Sequence, residues 1–356
     1  MTIKAAVVGA GVVSETHLSA LERNPRTDLA AICDIDARRA TDVATKYGIE
    51  AYTDIDELLD AEELDWVHIC TSVQTHVSLA KKVLDHGIPV MIEKPITTTL
   101  AEFVELQEYA AERDVRFSEV HQHAYDPAMR AVTDRMRRSD LGRVRSVEVI
   151  FTGLTPPDLE QRGSWTMELE GGEFEEGLPH PLYLALNAGG YPESEDAISV
   201  ITCLAGEYDR DFTYDNAAIQ YRTTAGSLVS VKMISGAIPQ RLVVVHGEEM
   251  SLMADLVSQT VMKVGRDPTS TSLSKVRYNV ERSADLIGGV VENASTVLKT
   301  KYDDGWKNLK QTNPHYYQID LESEAIATGG PMPVPIEESK WTMVLLEAVR
   351  EAARQY

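Results

Sequence analysis

Behind the aliphatic run Val90-Met91-Ile92 the chain releases a glutamate, a lysine and a proline: Glu93, Lys94 and Pro95. Two opposite charges set at a strand's end, followed by a residue that fixes its own φ, place a cation and a carboxylate at a defined point of the backbone. The C-terminal edge of a parallel sheet is where open α/β folds bind ligands, so this pair is a candidate for work on a substrate oxygen. The bland alternative is a surface Glu–Lys pair that ends a strand and contributes little.

A second constellation lies near the start. Gly9-Ala10-Gly11-Val12-Val13-Ser14 follows the first apolar run and opens a helical period. Gly9 permits a tight turn, and Gly11 lets backbone N–H groups approach a pyrophosphate at a helix N-terminus. Serine in place of a third glycine still allows close helix–strand packing. The strand before and the helix after supply the context that so short a pattern needs. The next strand ends Cys33-Asp34-Ile35-Asp36. An acid at Asp34 would accept the adenosine ribose hydroxyls and repel a 2′-phosphate, whereas Asp36 reads as the following helix's N-cap. The implied cofactor is NAD, with NADP left open by Arg38 and Arg39, either of which would suit a 2′-phosphate.

His121 and His123, with Asp126 close by, form a possible metal pair, because H-x-H on a strand turns both rings to one side. Polar residues at a strand end facing a cofactor crevice explain them without a metal, and no metal is expected.

These groups need elements to hold them. The first 120 or so residues alternate strand and helix periods: IKAAVV, LAAIC, WVHIC, IPVMI and VRFSEV, separated by patterns such as TDVATKYG and THVSLAKKVLDHG. That alternation predicts a doubly wound parallel sheet with helices on both faces. From Val144 the period becomes two, in VRSVEVIFT, AAIQYRT, SLVSVKMIS, RLVVVHG and MSLMADLVSQ, which predicts a largely antiparallel open sheet. The expected organisation is a dinucleotide-binding Rossmann domain over 1–121 and an α+β domain for substrate and oligomerisation over 122–356. A helical insertion is expected at about 280–310. At 356 residues, two domains are the default.

Composition excludes several roles. Fifty-six acidic against 34 basic residues give a net charge of −22, which disfavours nucleic acid and anionic membrane surfaces as partners. The acid is spread along the chain, as on a solvated surface suited to high salt, so a halophilic source is expected. No apolar run approaches the roughly 18 residues of a membrane span, and the N-terminus reads directly into a strand with no secretory pattern. With three scattered cysteines and no disulfide framework, the expected location is the cytoplasm.

Taken together, these blocks resemble the glucose–fructose oxidoreductase/inositol dehydrogenase (Gfo/Idh/MocA) family. GAGVVSETHLSAL is similar to that family's G-x-G-x-x-G-x-x-H-x-x-A-L opening, and CTSVQTHVSLAKKVLDHGIPVMIEKP to its T-P-N-x-x-H…E-K-P block. HQHAYDPAMRAVTDRMRRSDLGRVRSVEV is similar to the start of its second domain, and ATGGPMPVPIEES to a late segment. The resemblance covers most of the chain except about 265–310. It implies cofactor contacts from Gly9, Gly11, Val12, Val13, Asp34, Thr71, Ser72, His76, Glu93 and Lys94. Lys94 would reach the reacting hydroxyl or carbonyl, where a neighbouring oxidised nicotinamide would push its pKa down. Glu93 would support it, and Pro95 would be cis.

ELEGGEFEEGLPHPLY is similar to the family's G-G-G-x-L-x-D-x-G-x-H-x-x-D, with Glu176 at the acid, His180 at the proton-transferring histidine and Tyr183 at the last aspartate. An acid one helical turn before a histidine can orient its ring and stabilise the charged form. Tyr183 either donates to substrate or packs, and Trp165 and Gln122 are expected substrate contacts. The implied activity is hydride transfer between the nicotinamide cofactor and a secondary alcohol of a sugar, cyclitol or sugar derivative, by a homodimer or homotetramer. Two alternatives stand beside it. An NAD-dependent glycosidase working by transient oxidation and elimination would show no net cofactor reduction, and a non-catalytic NAD(P)-binding protein would show no hydride transfer.

Overall fold

A computed structural model of the chain describes residues 2–264 and 271–355. They fall into two compact units, Met1–Gln122 with Gly305–Met343, and His123–Asp304 with Val344–Tyr356.

In the first unit six strands form one parallel sheet: β1 (Ile3–Val8), β2 (Thr27–Cys33), β3 (Glu50–Tyr52), β4 (Trp66–Ile69), β5 (Val90–Ile92) and β6 (Phe117–Glu119). Their order is β3-β2-β1-β4-β5-β6. The chain therefore reverses its progress across the sheet between β1 and β4, and the crevice at that switch point is where such folds bind ligands. β1 and β4 are buried almost throughout, as strands covered on both faces must be. The connecting helices are α1 (Ser14–Arg23), α2 (Ala37–Tyr47), α3 (Ile55–Ala61), α4 (Val73–Asp85) and α5 (Leu100–Glu112). Asp36 caps α2 by accepting the N–H groups of Arg38 and Arg39, as expected, and Gly48 closes that helix with φ +69°.

The second unit opens with α6 (Pro127–Arg137) and β7 (Val144–Gly153), then α7 (Gly172–Gly177) and α8 (Pro179–Gly189). Strands β8 (Ser199–Cys203), β9 (Asn216–Arg222), β10 (Leu228–Ser235), β11 (Gln240–Gly247), β12 (Ser251–Asp255) and β13 (Thr260–Val264) complete a sheet ordered β13-β12-β11-β7-β10-β9-β8. It is antiparallel except where β7 meets β10. Odd-numbered residues of the central strands, including Val147, Val149, Val229, Val231, Val243 and Val245, are buried on the face that α8 covers. The approach is close: a Cβ on Gly189 would lie 2.6 Å from Val229 Cγ2. The opposite face leaves Ile201, Leu228 and Ile234 exposed.

α9 (Ser272–Tyr302) starts earlier than the expected insertion because Thr271 and Ser274 cap it reciprocally. It lies on β13, with Asn293 Nδ2 donating to Ser258 O at 2.9 Å, while Val280, Ile287 and Val291 stay exposed. The short strands β3, β8 and β13 were not expected from periodicity; three to five residues carry too little pattern.

The first unit takes in a late segment of the chain as well as residues 1–122. α10 (Trp306–Thr312), α11 (Pro314–Thr328) and the first part of α12 (Ile336–Ala353) return to the first unit. Polar groups bring them back. Gln318 accepts the His121 N–H at 2.9 Å and donates to Glu119 O at 2.8 Å, and Asn24 Nδ2 donates to Ser323 Oγ at 3.1 Å. Asp320 accepts from Arg26 Nη1 at 2.5 Å and from Trp306 Nε1 at 2.7 Å.

Beside this helix His121 is fully buried between Glu119 and Glu338, each 2.9 Å from a ring nitrogen. Burial opposes its charge, but the two carboxylates outweigh it and push the imidazolium up to about 9. Glu322, also buried, is pushed up to about 8 mainly by burial, and its Oε2 has no partner among the described residues. Because its folded pKa lies above the unfolded one, its contribution to stability is full below about pH 4.5 and is lost as pH rises through about 8. Glu322→Gln keeps the shape and removes the buried anion. It should leave Tm within about 1 °C at pH 5 and raise it by roughly 4 °C at pH 8.5, read by thermal denaturation at both pH values. Equal shifts at both would show that Glu322 does not titrate in this window.

Candidate active site

At the C-terminal edge of β1, Gly9 has φ +99°, and a Cβ there would lie 2.7 Å from Cys70 O. No other residue fits between the loop and β4. Asp34, at the end of β2, accepts the Ala10 N–H on one oxygen at 2.6 Å and the Asp36 N–H on the other at 2.8 Å. Two of its roughly four acceptor positions remain for ribose hydroxyls, so the acid both shapes the glycine loop and can still bind. Val12 is 75% and Ile35 96% exposed, apolar groups standing open on either side of this loop. Thr71 and Ser72, after β4, are half-buried at the start of α4. These residues fit a dinucleotide: free N–H groups at the opening of α1, an acid at the second strand's end, and uncovered apolar surface beside both.

The turn after β5 is held from beneath. Glu93 is buried; its Oε1 accepts from His17 Nε2 at 2.9 Å, and its Oε2 accepts the Lys94 N–H at 3.1 Å. Burial opposes its charge, yet the His17 hydrogen bond and nearby cations hold it ionised, with a pKa of about 2. His17 Nδ1 meets His68 Nδ1 at 2.7 Å, and His68 Nε2 has no partner among the described residues. Burial keeps His68 well below the usual histidine range. One proton per ring accounts for the row: His68 Nδ1–H donates to His17, His17 Nε2–H donates to Glu93, and the orphan left at His68 is an acceptor.

The Lys94–Pro95 peptide is cis, as expected, and Lys94 is 7% exposed. Ile96 N–H donates to Glu119 Oε1 at 3.2 Å. His76 is also part of the clamp. Its Nδ1 lies 3.1 Å from Pro95 O and 3.2 Å from Ile96 O, and its Nε2 lies 3.1 Å from Thr71 O. Buried against three carbonyls, His76 helps to hold the turn. His17, Glu93 and His315 bring one ligand atom each within 4.8 Å, but the His17–Glu93 hydrogen bond already engages two of the three.

The second unit has its own cluster, around the first turn of α8. His180 Nδ1 lies 3.0 Å from the Tyr183 hydroxyl, which also accepts the His123 N–H at 3.1 Å. Tyr183 is fully buried, with its oxygen set between His180 Nδ1 and the His123 N–H. Glu176 Oε1 pairs with Arg162 Nε at 3.7 Å, and burial together with the Glu176 charge pushes the neighbouring Glu173 up. His180 thus has a phenol oriented against it, which the family pattern did not suggest. His123 Nδ1 bonds Asp126 Oδ2 at 2.7 Å, its ring sits 4.8 Å from that of His180, and Arg241 Nη1 approaches its Nε2 at 3.5 Å. Trp165 is half-buried with its N–H donated to Arg162 O at 3.0 Å, and Gln122, expected to face substrate, is 8% exposed.

The His121–His123 pairing is resolved by different partners, Glu119 and Glu338 for one ring and Asp126 for the other. Sequence reasoning missed His68, His315 and Arg241. His17 was visible only as the histidine of the quoted opening, and Arg241 lies in a strand whose period alone drew notice.

Residues 3–121 match the model of the Gfo/Idh/MocA oxidoreductase family, described as an NAD-binding Rossmann fold. The chain is 33% identical over 141 residues to a D-apiose dehydrogenase from Paraburkholderia graminis, covering 39% of this chain and 37% of that one. It is 24% identical over 262 residues to an inositol 2-dehydrogenase from Rhizobium meliloti, covering 72% and 76%. The first of these alignments spans well under half the relative's length. In fold the chain is similar to an oxidoreductase from Agrobacterium radiobacter crystallised with NAD+, L-tartaric acid and magnesium, at a TM-score of 0.77, 19% identity and coverage of 99% and 97%. Residues 3–121 thus form a domain of the NAD-binding Rossmann type that the Gfo/Idh/MocA oxidoreductase family model describes.

Proposed function

We propose that this chain is an NAD-dependent dehydrogenase that oxidises a secondary alcohol of a sugar, cyclitol or sugar derivative. The observation that carries the reading is Lys94, fixed at the C-terminal edge of a parallel strand over a buried, ionised Glu93 in an NAD-binding domain. The relatives named for apiose and inositol point to the substrate class. Gly9, Gly11, Val12, Val13, Asp34, Thr71 and Ser72 would hold the dinucleotide, and bound NAD supplies hydride acceptance. Lys94 donates to the substrate oxygen and stabilises its developing charge. His180 takes the hydroxyl proton.

That role fixes a tautomer. For Nε2 to accept a proton, Nδ1 must carry its hydrogen and donate it to the Tyr183 oxygen, which has lone pairs for both Nδ1–H and the His123 N–H. Tyr183 is a positioning residue in this scheme, and Glu176, paired with Arg162, sets the field nearby.

The open face of the seven-stranded sheet carries a row from Ile201 through Ala218, Lys232 and Ile150 to Leu242. We assign it to a second copy of the chain, in the cytoplasm of a salt-adapted cell. No described helix is long and apolar enough to cross a membrane.

Lys94→Ala should keep NAD affinity within a few-fold while lowering turnover by about 100-fold or more. Asp34→Ala should do the reverse, weakening NAD binding and relaxing discrimination against NADP. Fluorescence titration and cofactor-reduction assays over a panel of sugars and cyclitols read both; near-normal turnover in Lys94→Ala would end the dehydrogenase scheme. Tyr183→Phe should lower kcat by about tenfold with KM little changed, since it removes the acceptor that sets the His180 tautomer. A rise in KM with kcat intact would instead make it a packing or binding residue. Light scattering in molar salt should give a dimer or tetramer, and a monomer would free the open sheet face for another role.

A further inference from the structure

Arg241 stands apart in an acidic protein. It is the second residue of β11, on the sheet face that α8 covers, directly opposite Phe151 of β7. Its guanidinium carbon lies 5.8 Å from the Phe151 ring centroid, and its Nη1 lies 3.5 Å from His123 Nε2. No carboxylate of the described residues comes within ion-pair distance of it, although acids outnumber bases 56 to 34. Its neighbours are equally telling. His123 holds its Nδ1 against Asp126 at 2.7 Å, which fixes the hydrogen there and turns the bare Nε2 toward Arg241. The imidazole thus steers the guanidinium without neutralising it. The His123 ring in turn packs 4.8 Å from that of His180, the proposed proton acceptor. Arg241 is exposed, so one of its five donors is directed to His123 and the rest are open to a ligand.

We infer that Arg241 is the anion-recognising residue of the substrate site, and that the preferred substrate is a sugar bearing an oxyanion substituent, a carboxylate or a phosphate. This rests on the dehydrogenase reading above and on His180 being its proton acceptor. A planar guanidinium matches the two oxygens of a carboxylate or phosphate with parallel N–H donors, which a neutral polyol cannot use as fully. The Phe151 face and the His123 nitrogen fix its plane before the ligand arrives, so little side-chain freedom is lost on binding. Oxidation itself is unchanged: the hydroxyl carbon loses hydride to NAD, its proton goes to His180, and the anionic substituent remains intact in the product.

The test uses the full chain with NAD and paired substrates: D-galacturonate against D-galactose, and D-glucose 6-phosphate against D-glucose. One anion of a pair should be oxidised with kcat/KM at least tenfold above its neutral parent, and which pair responds separates carboxylate from phosphate. Arg241→Ala should lower kcat/KM for that anion by about 10- to 100-fold, the scale of a hydrogen bond to a charged group. Its loss on the neutral parent should be at least tenfold smaller. Arg241→Lys should recover only part of the loss, because it keeps the charge and not the fork. Neutral parents used as well as the anions, or equal losses on both, would overturn the inference and leave the dehydrogenase reading standing. If none of the four is oxidised although NAD binds, the dehydrogenase reading is what fails for them. Calorimetric titration of the two anions into wild type and Arg241→Ala then decides the anion site. Binding lost in the variant keeps it, and no binding to wild type rejects it.

Discussion

A single buried anion organises the edge of the first sheet. Glu93 sits where desolvation alone would keep a carboxylate protonated, and it stays ionised because His17 donates to it from α1. That hydrogen bond ties the helix opened by the glycine loop to the turn that carries Lys94. The same carboxylate accepts the Lys94 backbone N–H, so the lysine's main chain is fixed by the group that also supplies the local negative charge. Removing either partner would leave a buried polar group unmatched, which costs far more than a surface pair contributes. The row continues inward to His68, whose unpaired Nε2 is tolerable only as an acceptor on a neutral ring. Charge is thus held at Glu93 and kept from spreading into the core.

The legible parts of the fold were those in which one pattern has one cause. IKAAVV, WVHI and VMI are apolar runs broken only by Lys4 and His68, because strands covered on both faces admit little else, and the parallel sheet followed from them. Alternation in VRSVEVIFT and RLVVVHG likewise marked a sheet with one covered and one open face. α11 was illegible in this sense. Gln318, Asp320, Glu322 and Ser323 are all buried, and four polar residues in six positions read as a solvent-facing helix. Only the positions of Asn24, Arg26, Glu119 and His121 in space, far away in sequence, turn them into a matched interface, and no period encodes those.

The candidate site divides along similar lines. Residues constrained by backbone geometry were readable: Gly9, because nothing larger fits against Cys70 O, and Pro95, whose cis peptide follows the Glu-Lys pair. Residues constrained by side-chain partners were not. Glu176 was expected beside His180; it also pairs with Arg162, and a tyrosine three positions after the histidine meets its ring nitrogen, and neither partner was foreseen. Both acid and phenol lie on the helical face that i+3 and i+4 spacing allows, so spacing could not choose between them. The fold adds what spacing lacks: the His123 N–H fixes where the Tyr183 oxygen sits.

The electrostatics of the two units differ in kind. In the first, a carboxylate is buried and held by a hydrogen bond from an imidazole, so the field at Lys94 is set by the protein itself. Around α8 the order is reversed. Asp126 pairs with His123 and Glu176 with Arg162, while Arg241 meets no carboxylate among the described residues. A surface carrying a net charge of −22 repels anions at long range, and screening at high salt shortens that repulsion to a few ångströms. A cation kept free of acids therefore gains most as a recognition element where the surrounding field is screened. An acidic surface and an arginine with no carboxylate partner among the described residues are then compatible: recognition at contact distance is too short for salt to screen.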